Sequence, residues 1–321
     1  MHKRPRGEGR RAIGLAVAGV ALATASAWAA PPPDVRIDDV NVYPESLSSG
    51  PDGSLYIGSM KGIVFRARPH AALAEAWIQP TAENGILSLL GVLVDARSNT
   101  LWLCSSPSPL RNPPAVGTAS LMAFDLRSGR QKGAWPFPAP ASACNDITIA
   151  RDGSAYASDT PNGRIFVLKP HAKALELYAE DARLKAIDGI VFSGDGTLYA
   201  NIVSRGQLVR IDRDKDGRFA GVTLLTLSQP VAGPDGFRLI AGHRFLLAEG
   251  NSGKVDEVSI DGDQASVKTL KEGLTSPPGV TLVGRTAYAV EGKIGYLIDP
   301  KLKGQSPGAF YARAIPLEGG R

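Results

Sequence analysis

Four oxygen-bearing side chains stand at equivalent points of a repeating phrase: Glu45, Asn145, Asp188 and Asp235. The phrases are "PESLSSGPDGSLYIGS" from Pro44, "CNDITIARDGSAYASD" from Cys144, "DGIVFSGDGTLYAN" from Asp188 and "PDGFRLIAGHRFLLAE" from Pro234. Three carboxylates gathered without compensation repel one another, and one of them must take up a proton. A hard divalent cation resolves that conflict. Carboxylates with an amide oxygen are the donors Ca²⁺ prefers, with Mg²⁺ or Mn²⁺ as alternatives. Cys144 is the one sulfur near these positions and strand alternation turns it elsewhere, which argues against zinc.

The positioning elements follow from the repeat. Each copy opens on a polar or glycine residue and runs into a short apolar strand. It then turns, continues through a Leu/Ala-Tyr-Ala run to a Gly or Ser break, and ends in a third strand. Asp-Gly pairs at 52–53, 152–153 and 195–196 are hairpin signals. Weaker copies start near Leu89 and Pro277, which places Gly91 and Gly279 in the same register as the four polar residues. The six positions are spaced by 46, 54, 43, 47 and 44 residues, the length of a four-stranded propeller blade. The prediction is an all-β chain forming a six-bladed β-propeller, with four-stranded antiparallel blades around a central channel. "DVRIDDVNVY" and "GAFYARAIPL" are left to complete the last blade and close the ring.

First strands of blades line the channel, so the six positions converge on one mouth. The second strands return towards it. Their last residues, Ser59, Asp159, Asn201, Glu249 and Glu291, are therefore expected at the rim, with Asp159, Asn201, Glu249 and Glu291 as substrate contacts. The same geometry carries Cys104 towards Cys144, and a disulfide between them is favoured over two buried thiols.

Residues 1–29 are set apart. "MHKRPRGEGRR" is basic, the following run is apolar and small, and Ala27-Trp28-Ala29 fits a cleavage site. The expectation is a cleaved export signal, of the general secretory or twin-arginine type (Arg10-Arg11), followed by one propeller domain over 30–321 and a periplasmic or secreted location. Lys3, Arg4, Arg6, Arg10 and Arg11 against Glu8 carry +4 of the formal +5, so the remainder is close to neutral. Neither a nucleic-acid surface nor a membrane contact after cleavage is expected, and the chain is read as a monomer.

In these phrases the chain resembles the senescence marker protein (regucalcin)/gluconolactonase family of six-bladed propellers. "PES" at 44–46, "CNDITIARDG" at 144–153, "DGIVFSGDG" at 188–196 and "PDGFRL" at 234–239 carry the likeness. The resemblance implies one divalent metal, often calcium, held at the mouth, with Glu45 in the family's Glu role and Asp235 in its Asp role. Asn145 matches the Asn of the family's Asn-Asp phrase. Asp188 replaces a usual Asn and adds a negative charge. The implied activity is hydrolysis of a small lactone such as a sugar lactone. With no histidine at the mouth, Asp235 and Asp146 are the candidate proton acceptors. The alternative is a non-catalytic propeller stapled by its ion and binding a small ligand or a protein. "DRDKDG" at 212–217 imitates a calcium loop but has Thr223 where the bidentate Glu belongs, and is read as a hairpin turn.

Overall fold

The computed structural model of the chain describes residues 1–2 and 32–317. The expected export signal therefore lies almost entirely outside the described residues. No helix among them is long and apolar enough to cross a membrane.

Strand follows strand throughout. After β1 (Val35–Ile37), the first unit is β2 (Pro44–Ser49), β3 (Leu55–Ser59), β4 (Val64–Ala67) and β5 (Leu73–Ile78). The second is β6 (Ser88–Asp95), β7 (Thr100–Ser106), β8 (Ser120–Asp125) and β9 (Gln131–Pro136). The third is β10 (Cys144–Ile149), β11 (Ala155–Asp159), β12 (Arg164–Leu168) and β13 (Glu176–Glu180). The fourth is β14 (Ile187–Phe192), β15 (Leu198–Ile202), β16 (Gln207–Arg213) and β17 (Phe219–Leu224). In the fifth, the short β18 (Thr226–Leu227) precedes β19 (Pro234–Ala241), β20 (Arg244–Glu249), β21 (Lys254–Asp261) and β22 (Gln264–Lys271). Last come β23 (Gly279–Val283), β24 (Thr286–Val290), the one-turn α1 (Gly295–Ile298) and β25 (Tyr311–Pro316).

Each unit is an antiparallel meander, and the Asp-Gly pairs make its first turn. Gly53 and Gly153 take φ of +86° and +88°, a region that excludes most side chains. Asp52 and Asp152 accept from the Ser54 and Ser154 amides at 3.0 and 2.9 Å, which fixes the turn from its other side. "DRDKDG" forms the β16–β17 turn in the same way, with Asp214 accepting from the Arg218 amide at 2.9 Å.

The sixth unit is completed from the other end of the chain. β1 runs antiparallel to β25 and parallel to β5, joining the first and last units in one eight-stranded sheet. The first strands β2, β6, β10, β14, β19 and β23 pack in succession, and β23 returns to β2. Apolar side chains fill the space between neighbouring units. Tyr56 and Val64 of the first pack with Val92 and Leu101 of the second, and Ile165 of the third with Ile190 and Ala200 of the fourth. Each face is thus buried by the next unit rather than by a separate core.

Candidate functional site

A break in strand pairing recurs at the start of the first strands. In β2, Pro44 pairs with Ser59 and Ser46 with Gly58, leaving Glu45 unpaired between them. The same shift falls between Cys144 and Ile147, Ile187 and Ile190, and Pro234 and Phe237. Asn145, Asp188 and Asp235 sit in those intervals. A bulge of this kind bends the strand and re-aims one side chain, and here it is what turns the polar residues out of the regular ladder.

The bulges also correct the sequence register. In β6 the unpaired residue is Leu90, while Gly91 pairs with Cys104 as Ser46 pairs with Gly58. The Gly236 amide donates to the Pro278 carbonyl at 2.8 Å, which makes Pro278, not Gly279, the counterpart of Asp235. Gly91 and Gly279 belong one position later, with Ser46, Asp146, Gly189 and Gly236. That position is crowded by the next unit: a Cβ on Gly91 or Gly189 would overlap the carbonyl oxygen of Asn145 or Asp235. Where the residue is larger, its side chain bonds across. Ser46 Oγ accepts from the Val92 amide at 3.2 Å, and Asp146 Oδ2 from the Ile190 amide at 2.9 Å.

Glu45, Asn145, Asp188 and Asp235 are brought together, and the three acids are all pushed above the ordinary carboxylate range. Burial, and then the Asp188 charge, push Glu45 up to about 8. Burial, and then Asp146, push Asp188 up to about 7, against hydrogen bonds from Asp235 and Asn145 that work the other way. Asp235 is pushed well above the usual carboxylate range by burial, then by Asp188, Glu45 and Asp146. Asp188 and Asp235 lie within hydrogen-bond reach, an arrangement that requires a shared proton. Asn145 Nδ2 donates to Thr160 Oγ1 at 2.8 Å, and its side chain also hydrogen-bonds Asp188. The oxygen-only donors and unbalanced charge match the chemistry of a hard cation. Among the described residues, however, no group of three or more His, Cys, Asp or Glu side chains is already arranged to hold one. The acids are drawn onto one another instead, and would have to turn towards an ion.

Arg238 was not singled out from the sequence. Its guanidinium forks the Asp146 carboxylate, Nη1 to Oδ2 and Nη2 to Oδ1, both at 2.7 Å, and Nη1 also donates to the Phe237 carbonyl at 2.9 Å. Arg238 is 9% and Asp146 5% exposed. The reading of Asp146 as a proton acceptor is thereby corrected: both its oxygens are held, and it keeps an arginine under the acidic mouth. The available signal was a cation in the repeat column that otherwise holds Ser48, Leu93, Thr148, Val191 and Thr281.

The strand-end residues need a larger correction. Asp159 is 0% exposed and accepts from the Ala143 amide, Ser142 Oγ and Arg164 Nε at 3.0, 3.1 and 3.0 Å. Glu249 accepts from the Ala232 amide and from Ser252 Oγ. Glu291 accepts from the Thr275 amide at 3.2 Å and Arg313 Nε at 2.6 Å. Asn201 accepts from the Gly189 amide at 3.2 Å and donates to the Asp235 carbonyl. Ser105 does the same work in the second unit, accepting from the Leu87 amide at 2.9 Å. Instead of facing a substrate, each pins the backbone leading into, or lying within, a first strand. Cys104 and Cys144 are bonded, with Cα atoms 5.0 Å apart, tying the end of β7 to the start of β10.

No protein-family model matches the sequence, and no curated protein matches it. Solved structures do. A gluconolactonase from Xanthomonas campestris superposes with a TM-score of 0.64 at 16% identity, over 90% of this chain and 99% of that one. The fold is that of a β-propeller. Virginiamycin B lyase from Staphylococcus aureus gives 0.57 at 13% identity, over 80% of each chain. A PQQ-bound aldose sugar dehydrogenase from Streptomyces coelicolor gives 0.61 at 14% identity, over 89% and 99%. A lactonase, a lyase and a dehydrogenase thus share this architecture, so the likeness describes scaffold and leaves the chemistry to the site.

Proposed function

We propose that the chain is an exported, six-bladed propeller hydrolase acting on lactones, with a hard divalent cation, calcium first, at the mouth formed by Glu45, Asn145, Asp188 and Asp235. The observation that carries this reading is the convergence of three carboxyls pushed above the ordinary carboxylate range, on bulges of separate first strands, in a fold shared with gluconolactonases. The ring of six first strands supports the blade number. The bonded cysteines accord with an oxidising compartment, and so with export.

A cation at the mouth would supply polarisation of the lactone carbonyl or acidify a water. The chain's own part is proton transfer. In its ionised form Asp235 takes the proton of the attacking water and returns it to the ring oxygen as the C–O bond breaks, leaving a hydroxy acid. Asn145 and Glu45 orient polar groups at the same mouth. The saturation of Asp159, Glu249 and Glu291 favours the second reading, a metal-stapled propeller that binds a small ligand or protein without turnover, because it removes expected substrate contacts.

The test measures metal content of the purified full chain, then hydrolysis of an aldonolactone panel with and without chelator. Turnover abolished by chelator and by Asp235→Asn is expected. Turnover that survives both sinks the metal mechanism, and full metal occupancy with no turnover on any lactone supports the binding reading.

A further inference from the structure

The first strands also end together, at the face of the ring opposite the carboxylates. There their last residues and the turns that follow surround a cavity of ≈ 790 Å³, within the size range of small-molecule sites. Four arginines and three aspartates line it. Asp95, Asp152 and Asp195 are each committed to their own turn. Asp95 accepts from the Arg97 amide and Ser98 Oγ, Asp152 from the Ser154 amide and hydroxyl, and Asp195 from the Thr197 amide and Ser193 Oγ.

Of the arginines, Arg97 lies 3.6 Å from Asp95 and donates to the Ala150 and Arg151 carbonyls. Arg151 donates to the Gly194 carbonyl, a neutral partner. Arg213 lies over Phe192 at 4.9 Å and Tyr156 at 5.9 Å from the ring centres. It has no carboxylate partner among the described residues. Arg238 lines the same cavity and is nine-tenths buried, yet its Nε has no hydrogen-bond partner, since Asp146 takes only the two terminal nitrogens. Leu93, Val191 and Leu282 supply apolar wall.

We propose that this cavity is a second ligand site, separate from the acidic mouth, for a small organic carboxylate. A guanidinium fork matches a carboxylate's two oxygens, and Arg213, whose fork no carboxylate of the described residues occupies, draws the anionic head, while Arg238 stays committed to Asp146. The apolar walls and the Tyr156–Phe192 pair take an organic body, which separates this ligand from an inorganic oxyanion. The site does not depend on the hydrolase reading, because no residue of the mouth carboxyl cluster lines it.

Calorimetric titration of the full chain with benzoate, with inorganic phosphate as comparison, tests it. Saturable benzoate binding is expected, weakened about tenfold or more, on the order of 1.4 kcal/mol, by Arg213→Ala and unchanged by Glu45→Gln. Arg213 is exposed, so its removal leaves the fold in place. The proposal is overturned if benzoate does not saturate below about 10 mM, or if Arg213→Ala binds as well as the parent. Loss on Glu45→Gln would move binding to the mouth, and phosphate binding as tight as benzoate would remove the organic carboxylate.

Discussion

Arg238 and Asp146, 92 residues apart in sequence, meet inside the ring through two 2.7 Å contacts. The pair sits beneath the mouth carboxyls, and Asp146 also holds the Ile190 amide of the unit between them. Three first strands are thus joined by one ion pair.

Removing one member should cost far more than removing both. Arg238→Thr strands a buried carboxylate and is expected to lower stability by about 3–5 kcal/mol. Adding Asp146→Ser installs the Ser and Thr that other units use at these positions, and most of the loss should return. Urea unfolding of the two single variants and the double checks this; a double-variant loss equal to the sum of the two single losses would show that the pair does not act as a unit.

Stability should fall as pH rises through the range in which the mouth acids titrate. Glu45 is pushed up to about 8 and Asp188 to about 7, while in the unfolded chain both lose their protons near pH 4. Between about pH 4 and 8 the folded chain therefore binds more protons than the unfolded one, and a higher pH favours unfolding. In chelator, the Tm is expected to drop by several degrees from the acid to the alkaline end of this window. Glu45→Gln should flatten the profile, and so should calcium, whose charge replaces the protons. A flat profile in the parent chain would contradict the buried acidic cluster.

Asp159→Ala is expected to act on folding rather than on substrate affinity. Its loss leaves Arg164 and the Ala143 amide without their acceptor, a cost of about 2–4 kcal/mol. Unfolding measurements beside lactone KM separate the two roles: a raised KM at unchanged stability would return Asp159 to the substrate.

Reduction of the Cys104–Cys144 bond, which closes a loop of 40 residues, should destabilise the chain by about 4 kcal/mol on loop-entropy grounds. Thermal unfolding with and without reductant, beside the Cys104→Ser/Cys144→Ser double variant, checks it. A reductant effect that persists in the double variant would assign the change elsewhere.

The sequence alone determined what local chemistry and repetition can encode. The spacing of the copies, the Asp-Gly turns and the short apolar runs are legible without a structure, because turn residues and alternation act over a few residues. So was the grouping of Glu45, Asn145, Asp188 and Asp235, since equivalent positions in a ring must converge. The tertiary structure decided the rest. A strand's two-residue period leaves a slip of one residue open, and only the pairing showed that Leu90 and Pro278, rather than Gly91 and Gly279, complete the mouth. Asp159, Glu249 and Glu291 read as rim charges because nothing in a chain's order says whether a carboxylate faces water or a backbone amide. Arg238 remained hidden for the same reason: its partner lies two units away, and only closure of the ring brings a lone cation under the acids that need it.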